Sequence, residues 1–389
     1  MLVSFDRRGR FPKTQERADC SLRVVTFFSY GMSLATWRKN GIADRELDRY
    51  KRLAARLGEV TLVTYDRTSP LLPAGCSLRV IYNRWGLPRS LFSILAPFLC
   101  GRQIMRANVL LSHQMAGSWA AVLAGIIWRK PVVVRQGYLL GENLRRSHAR
   151  WSKRVVVRMV EYLAYRFADA VISTVPPVPV FGRPQLAAVR VIPNGIDTGR
   201  FNSNSLAVPR ESPVRVLFVG RLNAFEKNLE NLIRAASGAG FQLRVIGEGR
   251  DRQTLQRLAD AEGADISFVG AVPNEDIPRA LADADIFALP SRFEGNPKAL
   301  LEAMSCRVPV VTTHWEGAEK IIQDGENGVF CEPDAASIKS ALQRLASDPE
   351  WRLRIGVAAR KTVLENYDLD RQIEDEANCI MHAVSRQTS

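Results

Sequence analysis

Histidine is scarce in this chain of 389 residues, which holds four. Six cysteines (Cys20, Cys76, Cys100, Cys306, Cys331 and Cys379) never form a C-x-x-C pair. That spacing argues against a zinc site and fits a reducing compartment. Long hydrophobic runs are missing. The most apolar stretches, around 94–100 and 116–128, fall short of the ~18 residues that a spanning helix needs. Residues 1–19 are polar and basic, with Arg7, Arg8, Arg10, Lys13 and Arg17, and lack the apolar core of a secretory signal. This segment is expected to be disordered and the protein cytoplasmic. G-x-G-x-x-G is not completed, because Arg252 stands where the third glycine belongs after Gly247 and Gly249. A dinucleotide site is thereby disfavoured. Aromatic residues are not interleaved with the basic ones and no nucleic-acid motif is present, so no nucleic-acid partner is expected.

Apolar residues make up 46% of the chain, ample for real cores, and the length favours two domains. Charge is unevenly placed: residues 1–195 carry a net +20 and residues 196–389 a net −6. A basic half suggests an anionic partner, for which an anionic membrane surface is one candidate. Short β-branched runs mark strands at 22–28, 60–65, 78–82, 109–112, 132–135, 170–173 and 190–192, then at 215–219, 242–246, 266–269, 286–289 and 308–312. Helical patterns lie between them at 41–57, 116–128, 152–167, 229–236, 251–262, 277–282, 297–305 and 335–346. Such alternation predicts an α/β fold with doubly wound parallel sheets. The pattern restarts near Pro213. The expected organisation is a first domain over 20–195, a linker over 196–212, a second domain over 213–367, and a polar helix over 368–389 packing back toward the first domain.

Glu294 and Glu302 stand eight apart in the run from Ser291 to Met304. Asn296 suits an N-cap and Pro297 the first helical position, so a helix is predicted from there. Eight residues at ~1.5 Å rise separate the carboxylates by on the order of 12 Å, about the reach of a sugar diphosphate. The intervening helix N-terminus offers backbone N–H groups to an anion. Gly220 closes a strand and is followed by Arg221 and Lys227, a fork and a point charge for phosphate. Gly247 closes the next strand in Gly247-Glu248-Gly249. Pro193-Asn194-Gly195-Ile196-Asp197 reads as a tight turn at the domain crossover. Each motif alone is commonplace.

Taken in order, P-N-G-x-D, G-R-L with its lysine, G-E-G, P-S-x-x-E-G with E-x7-E, and D-G-E-N-G resemble the retaining glycosyltransferases of family 4, of GT-B fold. The resemblance is specific over roughly 190–365 and looser over 20–190. It implies two Rossmann-like domains facing a central cleft. By the same resemblance Glu294 contacts donor-sugar hydroxyls and Glu302 the ribose. Gly295, Asn296 and Pro297 lie by sugar and phosphates, and the base sits near Ala271 and Val272. Arg221 and Lys227 hold the diphosphate. His113, after the 109–112 strand, is placed near the reaction centre. No metal is implied, and no D-x-D lies on a suitable loop.

The function implied is metal-independent, retaining transfer of a hexosyl group from a UDP-sugar or GDP-sugar to a glycan or lipid-linked acceptor. Such chemistry belongs to polysaccharide or glycoconjugate synthesis, at the inner membrane face. The alternatives are a nucleotide-sugar epimerase or phosphorylase on the same fold, or a polyanion-binding protein. Several positions depart from the family pattern. One glycine, Gly31, follows the first strand where a pair is common. Arg250 stands for a common proline and Arg307 for a usual glycine. The run Gly295-Asn296-Pro297-Lys298 replaces the commoner G-F-G-x-P, and the Arg221–Lys227 spacing is one residue long.

Overall fold

The computed structural model describes residues 21–72, 76–137, 141, 144, 150–175, 188–202 and 213–388. The expected disorder of 1–19 and the 203–212 part of the expected linker lie outside them. The chain divides into two compact units. One runs to Pro193 and takes back the chain from Asp370; the other is Asn194–Leu369.

In the first unit, strands β1 (Leu22–Phe27), β2 (Gly58–Val63), β3 (Arg79–Ile81), β4 (Val109–Ser112), β5 (Val132–Gln136), β6 (Ala170–Ser173) and β7 (Ala188–Val191) form one sheet, in the order β3-β2-β1-β4-β5-β6-β7. Every pairing is parallel. Strands buried on both faces read as continuous β-branched runs, which is why these were legible in the sequence. The helix Ala43–Leu57 buries Leu47, Tyr50, Leu53, Ala54 and Leu57, the helical spacing of a core-facing stripe. It ends directly on β2 at Gly58, whose φ is 119° and where a Cβ would stand 2.7 Å from the Leu22 carbonyl oxygen. Only glycine fits so tight a helix-to-strand passage. The final helix, Leu369–Thr388, buries Ile373, Ala377, Ile380 and Ala383.

The second unit repeats the plan with β8 (Val214–Val219), β9 (Phe241–Ile246), β10 (Ile266–Gly270), β11 (Ile286–Leu289), β12 (Val310–Thr313) and β13 (Val329–Cys331). Their order is β10-β9-β8-β11-β12-β13, again all parallel. In each sheet the order reverses once, between β1 and β4 and between β8 and β11. Such a switch point leaves a crevice beyond the carboxyl ends of the two strands, and open α/β sheets bind ligands there.

Residues 194–202, the described edge of the unit, bear on the linker expected at 196–212. Ile196 and Phe201 are buried in the second unit's core. Ile196 donates its N–H to Tyr367 at 2.8 Å and accepts from Leu369 at 2.9 Å. The short strand β13 and the helices Arg89–Leu99 and Pro349–Asn366 were not anticipated. The first of these helices carries Pro97 in its interior and is followed by Gly101, both helix-breaking signals. No helix of the described residues is long and apolar enough to cross a membrane.

Candidate active site

The second unit carries its candidate residues on and after the loops that follow β8, β9, β10 and β11, at and beside the β8/β11 switch point. Gly220 follows β8, and its N–H donates to the Ile246 carbonyl at 3.0 Å. Gly247 follows β9 with φ 141°, and a Cβ there would stand 1.8 Å from the Gly220 carbonyl oxygen. Two backbones thus touch, and no side chain other than hydrogen fits at Gly247. Gly247 donates in turn to the Gly270 carbonyl at 2.8 Å. Val272, two residues on, packs half-buried against the core.

Arg221 is exposed. Lys227 lies at the end of the short helix Ala224–Lys227, which Asn223 caps by accepting from the Glu226 N–H at 3.1 Å. Its Nζ is 2.7 Å from Glu294 Oε1 and 3.3 Å from Glu226 Oε1. Burial alone would push the lysine's pKa down, but the Glu294 and Glu226 carboxylates outweigh it and raise the pKa above the ordinary 10.5. The loops after β8 and β11 are stitched together elsewhere too. Arg292 donates its N–H to Glu226 at 2.9 Å and its guanidinium to Asn228 Oδ1 at 3.1 Å. Asn228 sits in the left-handed region, φ 55°, and donates through Nδ2 to the Pro333 carbonyl at 2.7 Å.

The helix beyond Glu294 runs Lys298–Ser305, one residue later than the 297–305 expected, with Pro297 at the cap position and no side-chain cap bond. Asn296 does not cap it. Its Oδ1 instead accepts from the Asn194 N–H at 2.8 Å, and its carbonyl accepts from Asn194 Nδ2, also at 2.8 Å. A long-range partner has displaced the local one. The first intrahelical bond runs from Leu301 N–H to the Pro297 carbonyl at 3.3 Å, so the amides ahead of it form the usual anion-receptive turn. Glu302, one turn on, is buried at 3% exposure, and Gly295 is half-buried in the loop.

Three contributors lay outside the sequence reading. Asn194 read as part of a crossover turn, whereas it holds the Asn296 backbone. Asn228 and Arg292 brace the lysine-bearing loop, and only the closeness of Arg292 to Glu294 in sequence hinted at a role.

His113 belongs to the first unit, at the β1/β4 switch point. Its N–H donates to the Phe27 carbonyl at 2.8 Å. Its Nδ1 shares a proton with the Tyr50 hydroxyl at 2.8 Å, and its ring lies 4.9 Å from that of Trp37 and 5.6 Å from that of Phe28. Tyr50 is fully buried, and burial raises its hydroxyl's pKa well above the ordinary value. The aromatic seat therefore fixes the orientation of the imidazole. Among the described residues no group of three or more His, Cys, Asp or Glu is arranged to hold a metal ion.

Two family profiles match the chain. One, "Glycosyl transferases group 1", matches residues 203–362; the other, "Glycosyltransferase Family 4", matches residues 40–200. A GDP-mannose-dependent alpha-(1-6)-phosphatidylinositol monomannoside mannosyltransferase of Mycolicibacterium smegmatis is 32% identical over 236 residues, 55% of this chain and 58% of that protein. The matched part spans about half the length of the curated relatives. Among solved structures, sucrose-phosphate synthase from Thermosynechococcus elongatus has a TM-score of 0.79 at 20% identity, covering 94% of this chain and 100% of that one. HepE of Anabaena, in complex with UDP and glucose, has a TM-score of 0.74 at 18% identity, covering 93% and 100%. These likenesses establish the GT-B fold. With one profile matched over 40–200 and the other over 203–362, the chain belongs to glycosyltransferase family 4.

Proposed function

We propose that this protein transfers a hexosyl group from a UDP-sugar or GDP-sugar to a glycan or lipid-linked acceptor, with retention and without a metal. The observation that carries the reading is the ion pair of Lys227 and Glu294 across the β8/β11 crevice, beside a helix N-terminus and the buried Glu302. This set supplies a cation for the diphosphate, a carboxylate for sugar hydroxyls and a second carboxylate for the ribose. The UDP and glucose named for HepE, and the GDP-mannose named for the mannosyltransferase, support a nucleotide-sugar donor and leave both bases in play.

As the bond from the anomeric carbon to the diphosphate oxygen breaks, negative charge grows on that oxygen. In this reading Arg221, Lys227 and the helix amides stabilise it, and fixed dipoles and charges of this kind cost no reorganisation during reaction. The departing phosphate oxygen takes the proton of the acceptor hydroxyl while that hydroxyl's oxygen bonds to the same face of the anomeric carbon. Glu294 then orients the sugar and does not attack it. Metal independence rests on these cations of the chain itself. A role for His113, held by Tyr50, is part of the proposal and rests on the family resemblance alone.

The test is a thermal-shift panel of nucleoside diphosphates and nucleotide sugars, followed by transfer assays with the donor that stabilises the fold. Glu294→Gln and Arg221→Ala are each expected to lose about a hundredfold or more in kcat, Arg221→Ala at the wild-type melting temperature and Glu294→Gln at a lower one with a cooperative transition, since it removes the charge that Lys227 faces. Full turnover by both variants would sink the assignment.

A further inference from the structure

Four helices of the first unit, Arg89–Leu99, Gly101–Arg106, Ser118–Trp128 and Trp151–Phe167, bury one side against the same sheet face, through residues such as Phe92, Ile104, Ala121 and Ala164. Ser118–Trp128 packs against both Arg89–Leu99 and Trp151–Phe167. Trp128 joins the first pair, donating its indole N–H to the Pro97 carbonyl at 2.9 Å. Its ring also lies where a Cβ on Gly101 would meet it at 2.8 Å. The helices therefore form one layer.

The outward side of this layer is unusually apolar. Ile94, Phe98, Met105, Ile126 and Val156 are each at least half exposed, and Val156 reaches 62%. Exposed apolar surface gathered in one place marks an interaction site. The charge around it has one sign. The four helices hold seven Arg and Lys residues, and Arg102, Arg106, Lys153 and Arg154 are exposed. Their one acidic residue, Glu161, is buried, accepts from the Gly141 N–H at 2.8 Å and lies 3.5 Å from Arg158. Short amphipathic helices with apolar residues and Arg or Lys outward lie in the headgroup plane of a membrane, where hydrocarbon takes the apolar side chains and lipid phosphates take the cations.

We infer that this helical layer docks the protein on a bilayer surface rich in anionic headgroups. A second copy of the chain is the poorer occupant, because a two-fold contact through this face would set its cations against themselves. The inference goes beyond the reaction proposed above and does not depend on it.

The full chain is sedimented with vesicles of mixed phosphatidylcholine and phosphatidylglycerol, and with vesicles of phosphatidylcholine alone, at low salt. Binding to the mixed vesicles alone is expected. Joint replacement Ile94→Glu, Phe98→Glu and Val156→Glu should lower it by about tenfold or more, as should joint Arg102→Glu, Arg106→Glu and Arg154→Glu. The same change of net charge in the second unit, through Arg257→Glu, Arg354→Glu and Lys361→Glu, should leave binding within about twofold of wild type. A circular dichroism spectrum and a melting temperature equal to those of the wild type show each variant folded, whatever the outcome of the transfer assay. Absence of wild-type binding to mixed vesicles, equal loss in the second-unit variant, or a dimer that the apolar variant dissociates without any lipid binding would each overturn the inference.

Discussion

Lys227 keeps its charge in a place where burial works against it. Because Glu294 and Glu226 raise its pKa above 10.5, the stabilisation from that charge is complete below the unfolded value and is lost as pH rises through the folded one. Lys227→Met should therefore cost about 2–3 kcal/mol in urea unfolding at neutral pH, the worth of a charged hydrogen bond with one partner stranded. The difference from wild type should hold to about pH 10 and shrink beyond pH 10.5. A difference that stays constant through that range would show that the alkyl chain matters and the charge does not. At this scale the sequence was partly legible. The ordered motifs brought Glu294, Glu302, Arg221 and Lys227 to notice, and a spacing one residue long did not keep Lys227 from Glu294. Asn296 misled, because its capping propensity is local while its partner Asn194 is 102 residues away.

Elements were more legible than their partners. The runs at 109–112, 170–173 and 286–289 match β4, β6 and β11, since strands buried on both faces announce themselves by composition alone. Helix Arg89–Leu99 hid behind its own proline, and Pro349–Asn366 went unread although Asp348 caps it and Pro349 opens it. The last helix was legible as a helix, but nothing in its residues named Arg49. Arg49 pairs with Glu376, with both side chains no more than 5% exposed. Burial opposes the arginine's charge, and Glu376, Tyr50 and Glu46 more than restore it. Breaking such a pair from one side is far worse than removing both. Glu376→Gln should destabilise the first unit by about 3–5 kcal/mol, and Arg49→Met with Glu376→Met should recover most of that loss. Urea unfolding followed in the intact chain measures both, and equal stability of single and double variants would refute a structural role for the pair.

For the whole molecule, the repeat of strand and helix made two α/β units legible, and the switch points follow from strand order, which no residue pattern encodes. The donor residues proposed here, apart from His113, lie in Asn194–Leu369. Hydrogen exchange of the full chain with and without UDP is therefore expected to show slowed exchange at 220–228, 271–273 and 295–303. Protection confined to the first unit would place the nucleotide elsewhere.

The first unit is interrupted in sequence, closing only when the chain returns at Asp370. On the ribosome this reverses the usual order of completion. The second unit is fully synthesised while the first still lacks the helix that supplies Glu376 to Arg49. A stop codon between Pro193 and Asp370 therefore leaves the amino-terminal unit without its final helix, however intact its own strands. A truncation inside the second unit is thus felt in the first.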